Sequence, residues 1–228
     1  APPVREPLGI ALRTAATDVF RTPTALLLML VFAGANSVAG VFLFWTPKFL
    51  ADKFNFQLTM AGLGGAAFIN LASALSVPFA GLVADRWARR FAGGRMLAQS
   101  LGLLLGAGLV SAVGLTRDLN LLVTSMIGFG LCKGFYDAGI FASLYDVVHP
   151  RSRATAAGLM NTIGWIGGAL GTAMAGWYAD HGSYGDKITN MSHYIAWGGA
   201  IYLIGGSLLL AGALTLARRD VRASFSAG

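Results

Sequence analysis

A lysine and an aspartate, Lys133 and Asp137, stand four residues apart near the middle of an apolar run from Leu119 to Val148. That spacing puts both on one face of a helix. A charged residue at the centre of a bilayer costs roughly 2.5 to 3.5 kcal/mol on insertion scales, so a purely apolar segment is far easier to place. Function is therefore the default explanation. Facing a water-filled cavity, Lys133 can hold an anionic substrate group and Asp137 can accept a coupling proton. The other explanation is an ion pair that neutralises itself and only fixes structure. Asn36, Asn70, Tyr136, Asn161 and Trp165 lie deep enough in their own runs to hydrogen-bond a ligand. An intramembrane Asn also serves to bond a neighbouring helix, and Trp165 can equally be a packing residue.

A second charged group fills a short gap between apolar runs, Gly81-Leu82-Val83-Ala84-Asp85-Arg86-Trp87-Ala88-Arg89-Arg90. A small residue at Gly81 lets helices approach closely. Asp85 sits where a span ends, and Arg86, Arg89 and Arg90 can stay in water or meet lipid phosphates.

Other chemistries find no constellation. His149, His181 and His193 all fall in loops or at span ends, so neither a Ser-His dyad nor a metal site within the spans is expected. No Gly-Lys-Ser/Thr loop is present to cradle a phosphate, so a gradient rather than ATP is the expected driving force. No enzyme activity, cofactor or metal is implied. The lone Cys132 lies inside a run and reads as a small packing residue.

The elements that must position these residues are membrane helices. Hydrophobic residues make up 55% of the chain against 12% charged, glycine reaches 31 of 228, and mean hydropathy is +0.63, which suits an all-α protein of several spans. Six runs are long enough to cross a bilayer, at about 24–50, 59–84, 94–114, 119–148, 155–179 and 195–217. Pro47 and Pro78 are expected to kink or end their helices. Ahead of them, residues 1–23 contain an amphipathic stretch from Arg5 to Thr22. Leu8, Leu12, Ala15, Val19 and Phe20 share one face, which predicts a helix lying on the membrane surface. Residues 218–228 form a tail. The start at Ala1-Pro2-Pro3, without an initiator Met, leads to the expectation that the chain is a fragment.

The net charge of +7 is spread over the gaps and forms no single stripe, so nucleic acid is not an expected partner. It reports topology instead. Twelve basic residues, including Arg5, Arg13, Arg21, Arg86, Arg89, Arg90, Arg95, Arg151, Arg153, Arg218, Arg219 and Arg222, fall on one side. Only four, Lys48, Lys53, Arg117 and Lys187, fall on the other. Both termini are therefore expected in the cytoplasm.

The stretch from Gly81 to Arg90 resembles the loop signature of the major facilitator superfamily: Gly, then Asp four residues on, a basic residue, an intervening residue, Gly and further basic residues. Ala88 stands here for the second Gly. The block Lys133-Gly134-Phe135-Tyr136-Asp137, continuing through Asp146 to Arg151-Ser152-Arg153-Ala154-Thr155-Ala156-Ala157-Gly158 and Asn161, is similar to the tenth and eleventh helices of that superfamily. The likeness is strongest to bacterial permeases for sugar phosphates, hexuronates and other organic anions.

That resemblance implies the C-terminal six-helix half of a twelve-helix transporter, which pairs with an N-terminal half around a site near the midplane. It implies a gating latch containing Gly81, Asp85, Arg86, Arg89 and Arg90, with Asp146 and Arg153 in the associated charge cluster. The implied activity is proton-coupled movement of a small organic anion across a bacterial inner membrane, by rocking of two halves. A drug or lipid exporter of the same superfamily, or a non-transporting membrane scaffold, are the alternatives.

Overall fold

Inside a bilayer each backbone N–H must find its partner within its own segment, so apolar runs of this length resolve into helices. The computed structural model describes residues 8–54 and 58–226, with side chains over 13–54 and 67–221. Arg5, the side chains of Leu8 and Leu12 and that of Arg222 lie outside the described residues. In chain order the helices are α1 (Leu8–Arg21), α2 (Pro23–Phe54), α3 (Leu58–Ala88), α4 (Gly94–Leu115), α5 (Leu119–Asp137), α6 (Ile140–Val147), α7 (Arg153–His181), α8 (Lys187–Thr215) and α9 (Ala217–Ser226). A 3-10 turn at Pro150–Ser152 precedes α7.

Among the described residues five elements are long and apolar enough to cross a membrane: α2, α3, α4, the α5–α6 pair and α8. α7 matches them with 29 residues, but its many glycines and polar side chains leave it less apolar. It packs along α2 and α8, within the same bundle. Pro47 and Pro78 both lie inside continuous helices and end neither.

Two boundaries differ from the sequence expectation. The fourth run is broken: α5 stops at Asp137, and α6 begins at Ile140 after Ala138 and Gly139. The last span starts eight residues before Ile195 because Asp186 caps it, accepting from the Thr189 N–H at 2.9 Å. Asn190 in its first turn is buried and bonded, donating to the Ala179 carbonyl at 3.2 Å and accepting from the Tyr184 N–H at 3.0 Å. With its hydrogen bonds made inside the protein, a polar turn can extend an apolar helix.

Glycine decides how the helices meet. A side chain cannot be inserted where two backbones touch, and small residues allow that contact. α5 is held from both sides this way. A Cβ on Gly130 would stand 2.5 Å from the Ile69 carbonyl oxygen of α3, and one on Gly134 would stand 2.6 Å from the Ser73 carbonyl oxygen. On its other side Gly102 of α4 brings its own backbone against α5, where a Cβ would stand 2.6 Å from the Cys132 carbonyl oxygen. The Ser76 hydroxyl adds a hydrogen bond to the Leu131 carbonyl at 2.7 Å. Gly167 and Gly171 play the same part for α7 on α2.

The face of the bundle that carries α1 and α9 is tied by longer-range bonds. Asp220 of α9 is buried and accepts from both the N–H of Thr24, at 3.1 Å, and its hydroxyl, at 2.7 Å. It thereby caps the start of α2, where free N–H groups favour an anion. α1 docks through buried Ala15 and Val19, and Asp18 accepts from the Ser152 hydroxyl at 3.2 Å. Phe20, assigned by the sequence to the apolar face, is 55% exposed.

Gly134→Ala is expected to destabilise the bundle by more than about 1 kcal/mol, because backbone and hydroxyl must move apart. Gly158→Ala, at a site with open space around it, is expected to stay within about 0.5 kcal/mol. Thermal unfolding of the two purified variants checks the contrast.

Candidate functional site

Because α5 is pinned by its glycines, the direction of its polar side chains is set. The Lys133 ammonium donates to the Asp137 carboxylate, one turn on, and both side chains keep partial exposure, at 22% and 36%. Lys133 and Asn70 line a cavity of about 190 Å³ bounded by Ala39, Phe42 and Leu43 of α2, Ile69 of α3 and Phe129 of α5. Its inner wall is aromatic, with Phe42 stacked on Phe129 at 4.8 Å between ring centroids. A cation and an amide set in an apolar wall can orient an anionic group and leave its remainder to the rings.

Asp137 is the last residue of α5, at a helix end where free carbonyls gather and a carboxylate is disfavoured. The adjacent ammonium offsets that. The break behind it is braced by α4: Gln99 is fully buried and donates to the Ser143 hydroxyl of α6 at 2.8 Å, close against Gly139. A Cβ on Gly139 would stand 2.7 Å from the Gln99 amide nitrogen, so a larger residue here would displace the end of that side chain.

The remaining polar residues do not gather at this cavity. Tyr136 is 1% exposed and faces the bundle interior, where its hydroxyl has no partner among the described residues. It does not line the cavity that holds Lys133. One residue away from Asp137 on a helix is about 100° of rotation, enough to turn it onto a different face. Asn36 donates to the Phe32 carbonyl of its own helix at 2.8 Å and stands at the contact with Gly164 of α7. Asn161 and Trp165 share an outer face of α7, where Trp165 is 74% exposed. None of these three lines the cavity that holds Lys133.

On the terminal face a second group forms around Arg95, in the first turn of α4. Its Nη1 donates to both oxygens of Asp146, at 2.8 and 2.6 Å. Its Nε and Nη2 donate to Asp85 Oδ1, at 3.1 and 2.8 Å. One planar guanidinium thus joins the end of α3 to the end of α6, a geometry that a lysine cannot copy. The turn that returns Arg95 to Asp85 is tight. Gly94 lies against the Trp87 backbone, and a Cβ on Gly93 would stand 2.5 Å from the Ala213 carbonyl oxygen of α8.

Two other residues of this region are placed as follows. Gly81 has open space around it in the described structure, so the close approach falls to Gly93 and Gly94 instead. Arg153 opens α7 and donates to the Tyr145 carbonyl at 3.1 Å, with its guanidinium 5.8 Å from the Tyr145 ring centroid. Asp146 is paired with Arg95. Arg86, Arg89 and Arg90 are exposed. In the sequence Arg95 is one of several loop cations. The Gly93-Gly94 pair just before it was the available signal of a tight reversal.

Arg95→Gln is expected to lower stability by about 1 kcal/mol, since two carboxylates lose a shared, partly exposed partner. Arg95→Lys is expected to recover less than half of that. Denaturation midpoints of the parent and both variants measure it.

Comparison with known proteins places this geometry among transporters. A family model described as Major Facilitator Superfamily matches residues 26–227. The chain is 29% identical over 149 residues to a protein of Oryza sativa subsp. japonica named probable anion transporter 1, chloroplastic, over 64% of this chain and 28% of that protein. It is 35% identical over 139 residues to an uncharacterized MFS-type transporter of Mycobacterium bovis, covering 53% of this chain and 30% of the relative. The chain thus spans less than a third of the length of either. Among solved structures, a bacterial homolog of the human lysosomal transporter Spinster, inward-facing and unoccupied, superposes with a TM-score of 0.75 at 17% identity. That match covers 96% of this chain and 53% of the other.

Proposed function

The chain belongs to the Major Facilitator Superfamily, and from that premise we propose that it forms one half of a secondary transporter for a small organic anion, with Lys133 as the anion-binding residue. The observation that carries this reading is the Lys133 ammonium on the wall of an otherwise apolar and aromatic cavity, beside Asn70. A relative named as an anion transporter agrees with a cationic site. A sugar acid or a sugar phosphate fits the combination of one cation, one amide and an aromatic floor.

Asp137 is the proton-coupling residue in this reading. Its carboxylate shares the Lys133 ammonium, so protonating Asp137 frees the lysine for substrate, and deprotonation recaptures it. Proton and anion then bind together, which is the condition for symport. The network of Asp85, Arg95 and Asp146 serves as the gate on the terminal face, with exposed Arg86, Arg89 and Arg90 free to meet acidic groups of an N-terminal half. Arg153 and Gly81 flank that gate. Residues 1–23 connect the two halves, 24–217 form the six-helix bundle and 218–228 the tail. The excess of basic residues on the terminal face supports cytoplasmic termini, in a bacterial inner membrane.

Asp137→Asn is expected to abolish proton-driven accumulation and to keep substrate exchange, measured with the full-length protein in proteoliposomes under an imposed pH gradient. Accumulation at the parent level removes Asp137 from the coupling role. Lys133→Ala is expected to weaken binding of an anionic ligand at least about tenfold, as for a lost charge-assisted hydrogen bond, and to affect a neutral analogue far less. Equal losses for both ligands assign Lys133 to structure.

A further inference from the structure

The face opposite the termini carries few cations, and they are divided in an uneven way. Lys48 is neutralised by Asp52 at 2.8 Å and Lys187 by Asp180 at 2.6 Å. The other two, Lys53 and Arg117, converge on one cavity of about 340 Å³ between the end of α2, the end of α4 and the start of α8. His193, Thr189 and Ser192 complete its polar wall, and no carboxylate lines it among the described residues.

Each cation is positioned by a separate element. The Lys53 ammonium donates to the Gly114 carbonyl at the end of α4, at 2.8 Å, and to the Ser192 hydroxyl of α8, at 3.2 Å. It also lies 4.7 Å from the Phe49 ring centroid. Arg117 is exposed, in the short link between α4 and α5, and enters no ion pair among the described residues. The His193 ring is held flat against Tyr184, with centroids 3.8 Å apart and planes 8° from parallel.

The nearest acids are committed elsewhere. Asp118, next to Arg117, accepts from the Leu121 N–H at 2.8 Å and caps α5. Asp186 accepts from the Thr189 N–H at 2.9 Å and caps α8. The two like charges around one cavity repel one another, and an anion between them removes that cost. The donors suit an oxyanion: a planar guanidinium fork, an ammonium, hydroxyls and a ring N–H converge from three sides.

We propose that this cavity binds a phosphate group, at a site separate from the Lys133 cavity and on the other side of the bundle from the α1–α9 face. The group comes either from an anion in solution or from the headgroup of an acidic phospholipid in the adjacent leaflet. The lining is the same for both.

The test uses the full-length protein, with thermal unfolding followed in neutral detergent against inorganic phosphate at constant ionic strength. A parallel series uses phosphatidylcholine nanodiscs with and without phosphatidylglycerol. Phosphate is expected to raise the midpoint in the parent, with an apparent affinity about tenfold weaker in Arg117→Gln, as for one lost charge-assisted contact. Arg117→Lys is expected to retain an intermediate response. Arg117 is exposed, so neither variant disturbs a packed region. Stabilisation by phosphatidylglycerol alone, again dependent on Arg117, supports the site and assigns the phosphate to lipid. No response to either probe, or a response of equal size in Arg117→Gln, overturns the proposal.

Discussion

A lysine and an aspartate can be kept at a fixed heading within a bilayer only if the helix that carries them is unable to roll, and here that freedom is removed by backbone contact on two sides of α5. Lipid tails are as apolar as leucine, so hydrophobicity gives helices little reason to choose one another, and close packing must do so instead. Gly130 and Gly134 seat α5 on α3, and Gly102 lets α4 close on it from the other side. The cavity beside Lys133, the exposure of Asp137 and the burial of Tyr136 all follow from this one setting of the helix.

The two ends of the bundle are fastened by different chemistry. On the face of the termini the fasteners are carboxylates: Asp85 and Asp146 on Arg95, Asp220 on Thr24 and Asp18 on Ser152. On the opposite face they are mostly backbone carbonyls and caps, with Lys53 on Gly114, Asn190 on Ala179, and Asp186 at the head of α8. The guanidinium network is partly open to water and can exchange partners. The buried amide and its carbonyl are held from solvent and are slower to do so.

Much of the fold was legible because the signal is local. Six apolar runs locate the long helices, apart from the break in the fourth and the early start of the last, and a four-residue spacing is enough to place Lys133 beside Asp137. What escaped depends on residues far apart in sequence. Arg95 looks like any loop cation until α6 brings Asp146 to it, 51 residues on. The break after Asp137 is braced by Gln99 of α4, and the early start of α8 is supported by Asn190 bonding a carbonyl on α7. Tyr136 and Asp137 sit side by side in the chain and face apart in the bundle. Depth within a run fixes a residue's height in the membrane, while its heading is set by the neighbours that pin the helix.

The bond from Asp220 to Thr24 spans 196 residues, nearly the whole chain. Membrane helices enter the bilayer in order as the ribosome delivers them, so α2 is placed while its capping carboxylate has yet to be translated. Until α9 is made, the N–H of Thr24 has to find another partner. The cap can close only when Thr24 and Asp220 reach the same side of the membrane, so an odd number of missed crossings between them would leave Asp220 stranded on the other. In this way a single buried acid registers the parity of the whole assembly.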